Sequence, residues 1–285
     1  MRVKERTQRL PPWFRIRRTM NERFTSVKSL IRTNNLNTVC RSAACPNQAE
    51  CWNAGTAAFM ILGNICTRSC KFCNVLKGTP EILDLDEPNR VAGAVAALGL
   101  NYAVVTSVTR DDIEDGGAEL FAATIRAIRA KTPGCRMEVL IPDFQGSDGS
   151  LRTVLDAGPD VLNHNLETVP SLYSRVRPQA DYRRSLGLLS RARSYGAVTK
   201  TGLMLGLGEG LDEVRLVMND LRNIECDILT IGQYLQPNRG ALPVEKYYHP
   251  DEFNQLREEA LARGFRQVES GPLVRSSYHA GTYGR

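Results

Sequence analysis

Apolar residues fall in short, nearly unbroken runs at 57–62, 103–108, 137–141, 161–166, 198–205 and 227–231. Runs this short and rich in Val, Ile, Leu and Met predict strands buried on both faces. Between them the spacing changes to an apolar residue every three or four positions, over 87–98, 118–131, 150–157, 182–195 and 211–224, with Gly or Pro near the ends. That period predicts amphipathic helices. Strand–helix alternation requires a crossover after each strand, and repeated crossovers give a parallel sheet with helices outside it. Six such units, with one short connection at 170–176, predict an α/β fold of the partial (β/α)6 TIM-type barrel kind. A last helix at 250–263 leads to a strand-like Gln267-Val268 and a polar tail. The expected divisions are an N-terminal extension over 1–52, the barrel over 53–265 and a short C-terminal extension over 266–285.

The 285 residues are 42% hydrophobic and 24% charged, which excludes a disordered chain, a collagen-like chain and a coiled-coil rod. The net charge of +6 is unevenly placed. Residues 1–32 carry Arg2, Lys4, Arg6, Arg9, Arg15, Arg17, Arg18, Arg23, Lys28 and Arg32 against Glu5 and Glu22, a local +8, and the remainder is near −2. Such an arm attracts an anionic surface, less so with added salt, and a solvated basic lead-in accounts for it equally well. No run approaches the roughly 18 apolar residues that cross a bilayer, and the N-terminus lacks the apolar core of a secretory signal. A transit peptide is opposed by Glu5, Glu22 and the Pro11-Pro12 break. The expectation is a cytoplasmic protein without a membrane partner.

Six of the eight cysteines lie between residues 40 and 73. In a reducing compartment this clustering reads as metal binding or catalysis before disulfides. The spacings are C-x4-C-x5-C (Cys40, Cys45, Cys51) and C-x3-C-x2-C (Cys66, Cys70, Cys73), and neither triplet has the paired C-x2-C layout of a zinc ribbon. Two sets of three thiolates suit two iron–sulfur clusters, each cubane keeping one iron for another ligand. The second triplet begins four residues after Leu62, which places it in the loop following the first strand. On a parallel barrel that end of the strands carries the chemistry. Cys135 and Cys226 stand apart and read as small core residues.

With Phe72 before its last cysteine, the C-x3-C-x2-C motif resembles the signature of the radical S-adenosylmethionine superfamily. Joined to the upstream triplet and to Arg275-Ser276-Ser277-Tyr278, it resembles the lipoyl synthase family, a likeness running from about residue 30 to Ala280. The resemblance implies two [4Fe-4S] clusters and S-adenosylmethionine as cofactors. Cys66, Cys70 and Cys73 would hold the cluster whose open iron chelates S-adenosylmethionine. One electron then cleaves the sulfonium, and the resulting 5′-deoxyadenosyl radical abstracts hydrogen from an unactivated C–H bond, a step closed to any general base because alkane carbons are not acidic. Cys40, Cys45 and Cys51 would hold an auxiliary cluster consumed as the sulfur source. Ser277, or its neighbour Ser276, would supply that cluster's fourth ligand, a hard oxygen beside three soft thiolates. The implied reaction inserts two sulfur atoms at C6 and C8 of an N6-octanoyl-lysine on a carrier domain. Implied partners are octanoylated lipoyl carrier domains (the E2 subunits of 2-oxoacid dehydrogenases and the glycine cleavage H protein), a low-potential electron donor such as ferredoxin or flavodoxin, and an iron–sulfur carrier, with no nucleic acid and no membrane.

The same resemblance gives Asn165 and Glu167, after the fourth strand, contacts to the nucleoside, and Thr106 and Ser107, ending the second, contacts to the methionine part. Arg177 would reach the cofactor carboxylate, and Gly206 and Gly208 would allow close backbone approach. Taken alone, these are ordinary loop polar residues, strand caps and a solvated arginine. Gly206 to Gly210 is not a dinucleotide fingerprint, because Leu211 follows. His164 reads as a hydrogen-bonding residue, His249 as a loop residue ahead of a helix, and Arg110-Asp111-Asp112 as a helix cap or mouth lining. Thr109 stands where the family pattern has Asn. Among rivals, a biotin-synthase-like enzyme lacks the upstream triplet, and a methylthiotransferase carries an RNA-binding domain for which the chain has no room. A zinc-stabilised nucleic-acid module would be colourless and hold stoichiometric zinc.

Overall fold

Seven parallel strands pair in sequence order: β1 (Ala58–Ile61), β2 (Tyr102–Ser107), β3 (Arg136–Leu140), β4 (Val161–Asn163), β5 (Thr199–Leu205), β6 (Ile228–Gln233) and β7 (Gln267–Gly271). The computed structural model describes residues 10–15, 19–278 and 280. Of the basic arm, Arg2, Lys4, Arg6, Arg9, Arg17 and Arg18, with Glu5, lie outside the described residues, as does the end of the tail. Helices α1 (Glu87–Ala97), α2 (Ala118–Lys131), α3 (Asp148–Asp156), α4 (Tyr182–Ser194), α5 (Leu211–Asn223) and α6 (Pro250–Ala262) provide the crossovers. Among the described residues no pairing joins β7 to β1, so the barrel is open on one side. The expected partial barrel is thus found, and its predicted strands and helices differ from the observed ones mainly at their ends.

All four residues of β1 are buried, as a strand covered on both faces requires. β5 begins Thr199-Lys200-Thr201, yet these residues are also buried. The reason is a polar layer low in the barrel. Lys200 Nζ lies 2.9 Å from both carboxylate oxygens of Glu138, which also accepts from Asn163 Nδ2 at 2.8 Å and Tyr102 Oη at 3.0 Å. Burial pushes the Lys200 amine below its usual range and Glu138 opposes that shift, the arrangement a buried charge needs to remain paired.

Two features differ from the sequence reading. Gln267–Gly271 belongs to the barrel and not to a separate extension, pairing in parallel with β6 through Val268 and Leu229. The basic arm contains a helix, Glu22–Thr33, whose N-cap Asn21 accepts from Phe24 N and whose Phe24, Val27 and Ile31 are buried. This apolar stripe packs on the barrel's own core, with the Phe24 and Trp52 rings 5.1 Å apart. Asn37–Thr38 then adds an antiparallel edge to β1. The upstream triplet is thereby fixed beside the first strand. Cys135 and Cys226 are fully buried. Among the described residues no helix is long and apolar enough to cross a membrane.

Candidate active site

The loop after β1 closes on itself through a two-residue ribbon in which Ile65–Cys66 pairs with Leu76–Lys77. Arg68, inside the motif, ties it to the rest of the barrel end. Its guanidinium contacts Asp111 after β2 at 2.6 and 2.8 Å and Asp143 after β3 at 2.6 Å, and Asp143 also receives Arg184 from α4 at 2.8 Å. Lys71 N donates to Val176 O and Ser69 N to the Gln179 side chain. Burial alone would raise the Asp143 carboxyl, but Arg68 overrides it and holds that group well below the usual carboxylate range. Asp143→Ala leaves part of a nearly buried guanidinium unpaired, so it should lower stability by about 3 kcal/mol in chemical denaturation. A loss below about 0.5 kcal/mol would mean that the loop is held without this pair.

Backbone donors face the thiols. Arg68 N and Thr109 N lie 3.4 and 3.3 Å from Cys66 Sγ, and Val75 N lies 3.5 Å from Cys73 Sγ. Position 109 therefore serves Cys66 through its amide, a contact indifferent to the change from Asn to Thr. Asp111 and Asp112 are not helix caps: Asp111 pairs with Arg68 and Asp112 with Arg110, while Asp115 accepts from Gly117 N and Glu119 N at the start of α2.

Cys40 sits on the one-turn helix Val39–Ser42, Cys45 in the following turn and Cys51 on Gln48–Asn53. Burial pushes the Cys51 thiol up to about 12, with Cys40 and Cys45 adding to it, and burial pushes Cys73 up to about 11, with Cys70 and Cys66 adding. Each triplet thus places its thiols within electrostatic reach of one another. None is in a disulfide. All six line one cavity of about 1340 Å³, together with Phe72, Thr106, Ser107, Asn165, Glu167, Arg177, Ser276 and Ser277. Among the described residues no three His, Cys, Asp or Glu side chains converge as a single metal ion requires. Thiols grouped around an open space, with amide N–H groups directed at sulfur, fit a polynuclear cluster bound at its corners.

After β4 the chain turns sharply, with Glu167 at φ 67°, a conformation non-glycine residues adopt at a cost of about 1–3 kcal/mol. Glu167 N donates to Gly202 O and its carbonyl accepts from Met204 N, so β5 holds the turn. Asn165 Nδ2 donates to Glu167 Oε1 at 3.1 Å, while Asn165 Oδ1 and Ser107 Oγ are buried without a partner. Gly202 makes room here, since a Cβ would lie 2.8 Å from Thr230 Oγ1 and 2.9 Å from Asn165 Oδ1. A glycine inside an apolar strand run is a readable sign of such close approach. Thr106 Oγ1 is used on Leu140 O, and Arg177 Nη1 on the carbonyls of Asn165 and Leu166, leaving Arg177 Nε unpartnered. Gly206 and Gly208 lie outside the cavity lining. Gly206, at φ 104°, packs where a Cβ would overlap the Gln233 amide, and Glu209 folds back on its N–H. Nothing in the sequence marked Arg68 or Asp143, because their pairing joins distant loops.

His164 Nδ1 lies 2.9 Å from Ile141 O and so carries the ring proton, while Nε2 is buried and unpartnered. Burial, reinforced by Arg177, pushes this imidazole down to about 4. The unfolded chain binds that proton near 6.5, so His164 contributes stability above that pH, and the contribution is lost as pH falls toward 4 at up to roughly 1.4 kcal/mol per unit. Denaturation at pH 7, 6 and 5 should show a steeper decline for the native chain than for His164→Gln. Parallel declines would contradict the neutral assignment. His249 caps α6, accepting from Asp251 N.

Residues 60–221 match the Radical SAM superfamily. Over 272 residues the chain is 59% identical to the lipoyl synthase of Koribacter versatilis, covering 95% of this chain and 90% of that protein. Over the same length it is 56% identical to the lipoyl synthase of Rubrobacter xylanophilus, covering 95% and 85%. Streptococcus suis SuiB bound to S-adenosylmethionine shares the fold, with a TM-score of 0.59 at 10% identity over 86% of this chain and 61% of that one. The chain belongs to the lipoyl synthase family of radical S-adenosylmethionine enzymes.

Proposed function

We propose that this protein inserts two sulfur atoms at C6 and C8 of a protein-bound N6-octanoyl-lysine. The observation that carries the reading is the meeting of both cysteine triplets, the Asn165–Glu167 turn and Ser276-Ser277 in one cavity. Cys66, Cys70 and Cys73 would hold the cluster that engages S-adenosylmethionine. Cys40, Cys45 and Cys51, with Ser277 at the fourth corner, would hold the sacrificial one. When bound, these groups supply one-electron cleavage of the sulfonium and a store of sulfide.

The chain's own residues position and enclose. Arg68, clasped by Asp111 and Asp143, keeps the three-cysteine loop at one height above the strands. The unpartnered Asn165 Oδ1 and Ser107 Oγ accept from and donate to the nucleoside and methionine parts, and Arg177 braces the turn that carries Asn165 through its backbone. Phe72 packs beside Tyr234 and Met204, closing that part of the wall against solvent. The lining residues come from the N-terminal segment, the barrel and the tail alike, so the three divisions of the sequence act as one unit. Octanoylated carrier domains, a flavodoxin- or ferredoxin-like donor and an iron–sulfur carrier are the partners this reaction needs, and the cytoplasm is where it would run.

The test is mass spectrometry of an octanoyl-lysyl peptide after anaerobic incubation with the reconstituted protein, a reductant and S-adenosylmethionine. A gain of two sulfurs with loss of two hydrogens after oxidation supports the reading. An unchanged peptide, or colourless protein with bound zinc, overturns it.

A further inference from the structure

The polypeptide leaves β7 in a turn, with Val274 N donating to Gly271 O, and folds back over β6. It comes to rest on Gly232. A Cβ there would overlap the Val274 carbonyl oxygen, lie 3.0 Å from the Val274 carbonyl carbon and stand 3.3 Å from Arg275 Nη1. The φ of Gly232 is not in the left-handed region, so space and not conformation demands glycine at this position. The two nearest opposing atoms are main chain and have no rotamer to yield, whereas the Arg275 guanidinium beyond them could shift. From the other side Asn47, buried in the upstream triplet's loop, donates through Nδ2 to Leu273 O at 2.7 Å. Further along, Tyr278 Oη donates to Glu50 Oε1 at 2.9 Å. The segment bearing Ser276 and Ser277 is thus pressed between a bare strand surface and the loop of Cys45.

We infer that Gly232 and Asn47 are positioning residues that seat the 273–278 segment and thereby set the serine at the fourth corner of the upstream cluster. The inference rests on the reading above for what that serine does. Neither residue touches the reacting atoms. Gly232→Ala lifts the segment by its main chain, while Asn47→Ala frees the Leu273 carbonyl without adding bulk.

The test compares the full-length native chain with both variants. Amide hydrogen exchange over 273–278 should accelerate by about tenfold or more in each variant, with protection in β1 to β4 unchanged, as expected when one local restraint is lost and the opening stays local. After anaerobic reconstitution, iron of the upstream cluster should be lost to a chelator about tenfold faster, as is usual when groups orienting a ligand are removed. Cleavage of S-adenosylmethionine should stay within about twofold of the native rate, because the other triplet is held by separate contacts. Native exchange and native chelator resistance in both variants would overturn the seat. If Gly232→Ala fails to fold, Asn47→Ala decides, and native behaviour there also overturns it. A native chain that binds a single cluster would instead remove the earlier reading, leaving the seat to be judged by exchange alone.

Discussion

Cys66→Ala is expected to abolish reductive cleavage of S-adenosylmethionine and, with it, every later step. Cys66 is the first thiol of the loop and receives two amide N–H groups, one from within the motif and one from Thr109 after β2. Its removal would take away a ligand of the proposed cluster and leave those two donors unsatisfied in a part-buried site. Because Arg68 clasps Asp111 and Asp143 independently of Cys66, the variant should fold with its cavity wall intact. Iron should fall from about eight to about four per chain, the upstream cluster remaining. The check is production of 5′-deoxyadenosine under dithionite. Cleavage at a rate comparable to the native protein would remove this triplet from the initiating role.

Cys45→Ala should separate the two halves of the reaction. Cys45 lies in the turn between two short helices, outside the Cys66 loop, and Arg275 of the tail is the cationic neighbour that acts on its thiol. Its loss would remove a ligand from the proposed second cluster while the Arg68 contacts, the Asn165–Glu167 turn and the three thiols after β1 stay in place. The expected outcome is cleavage of S-adenosylmethionine at about the native rate with no sulfur-bearing peptide. Labelled sulfide built into the native protein should appear in product, and none should from the variant. If the Cys45 variant still forms the dithiolane, the sulfur comes from elsewhere.

The barrel was legible because its strands are buried on both faces and therefore written as continuous apolar runs, with helices of a different period between them. Of β7 the strand-like Gln267-Val268 was legible but its place in the barrel was not, since only Val268 of Gln267–Gly271 is buried and that place is set by pairing with β6. The helix Glu22–Thr33 was obscured by its charge: the apolar stripe at Phe24, Val27 and Ile31 is narrow and sits among basic residues. The cysteines stood out by spacing alone, whereas the Arg68–Asp143 clasp joins residues 75 apart and leaves no local trace. Gly206 and Gly208 lie outside the cavity lining, and a glycine permits close approach without saying of what. Gly202 and Gly232 carried a better signal, each interrupting an apolar strand where a side chain would otherwise be expected.

The hydrogen bond between Asn47 and Leu273 spans 226 residues. A ribosome adding about 5–20 residues per second needs roughly 10–45 s to travel that distance. During this interval the thiols after β1 already have their neighbouring strands, while Cys40, Cys45 and Cys51 wait for a tail not yet made. On the proposed reading, the centre held by Cys40, Cys45 and Cys51 would complete its ligand set only after translation has passed Ser277, so its loading would be the last step of assembly and not the first.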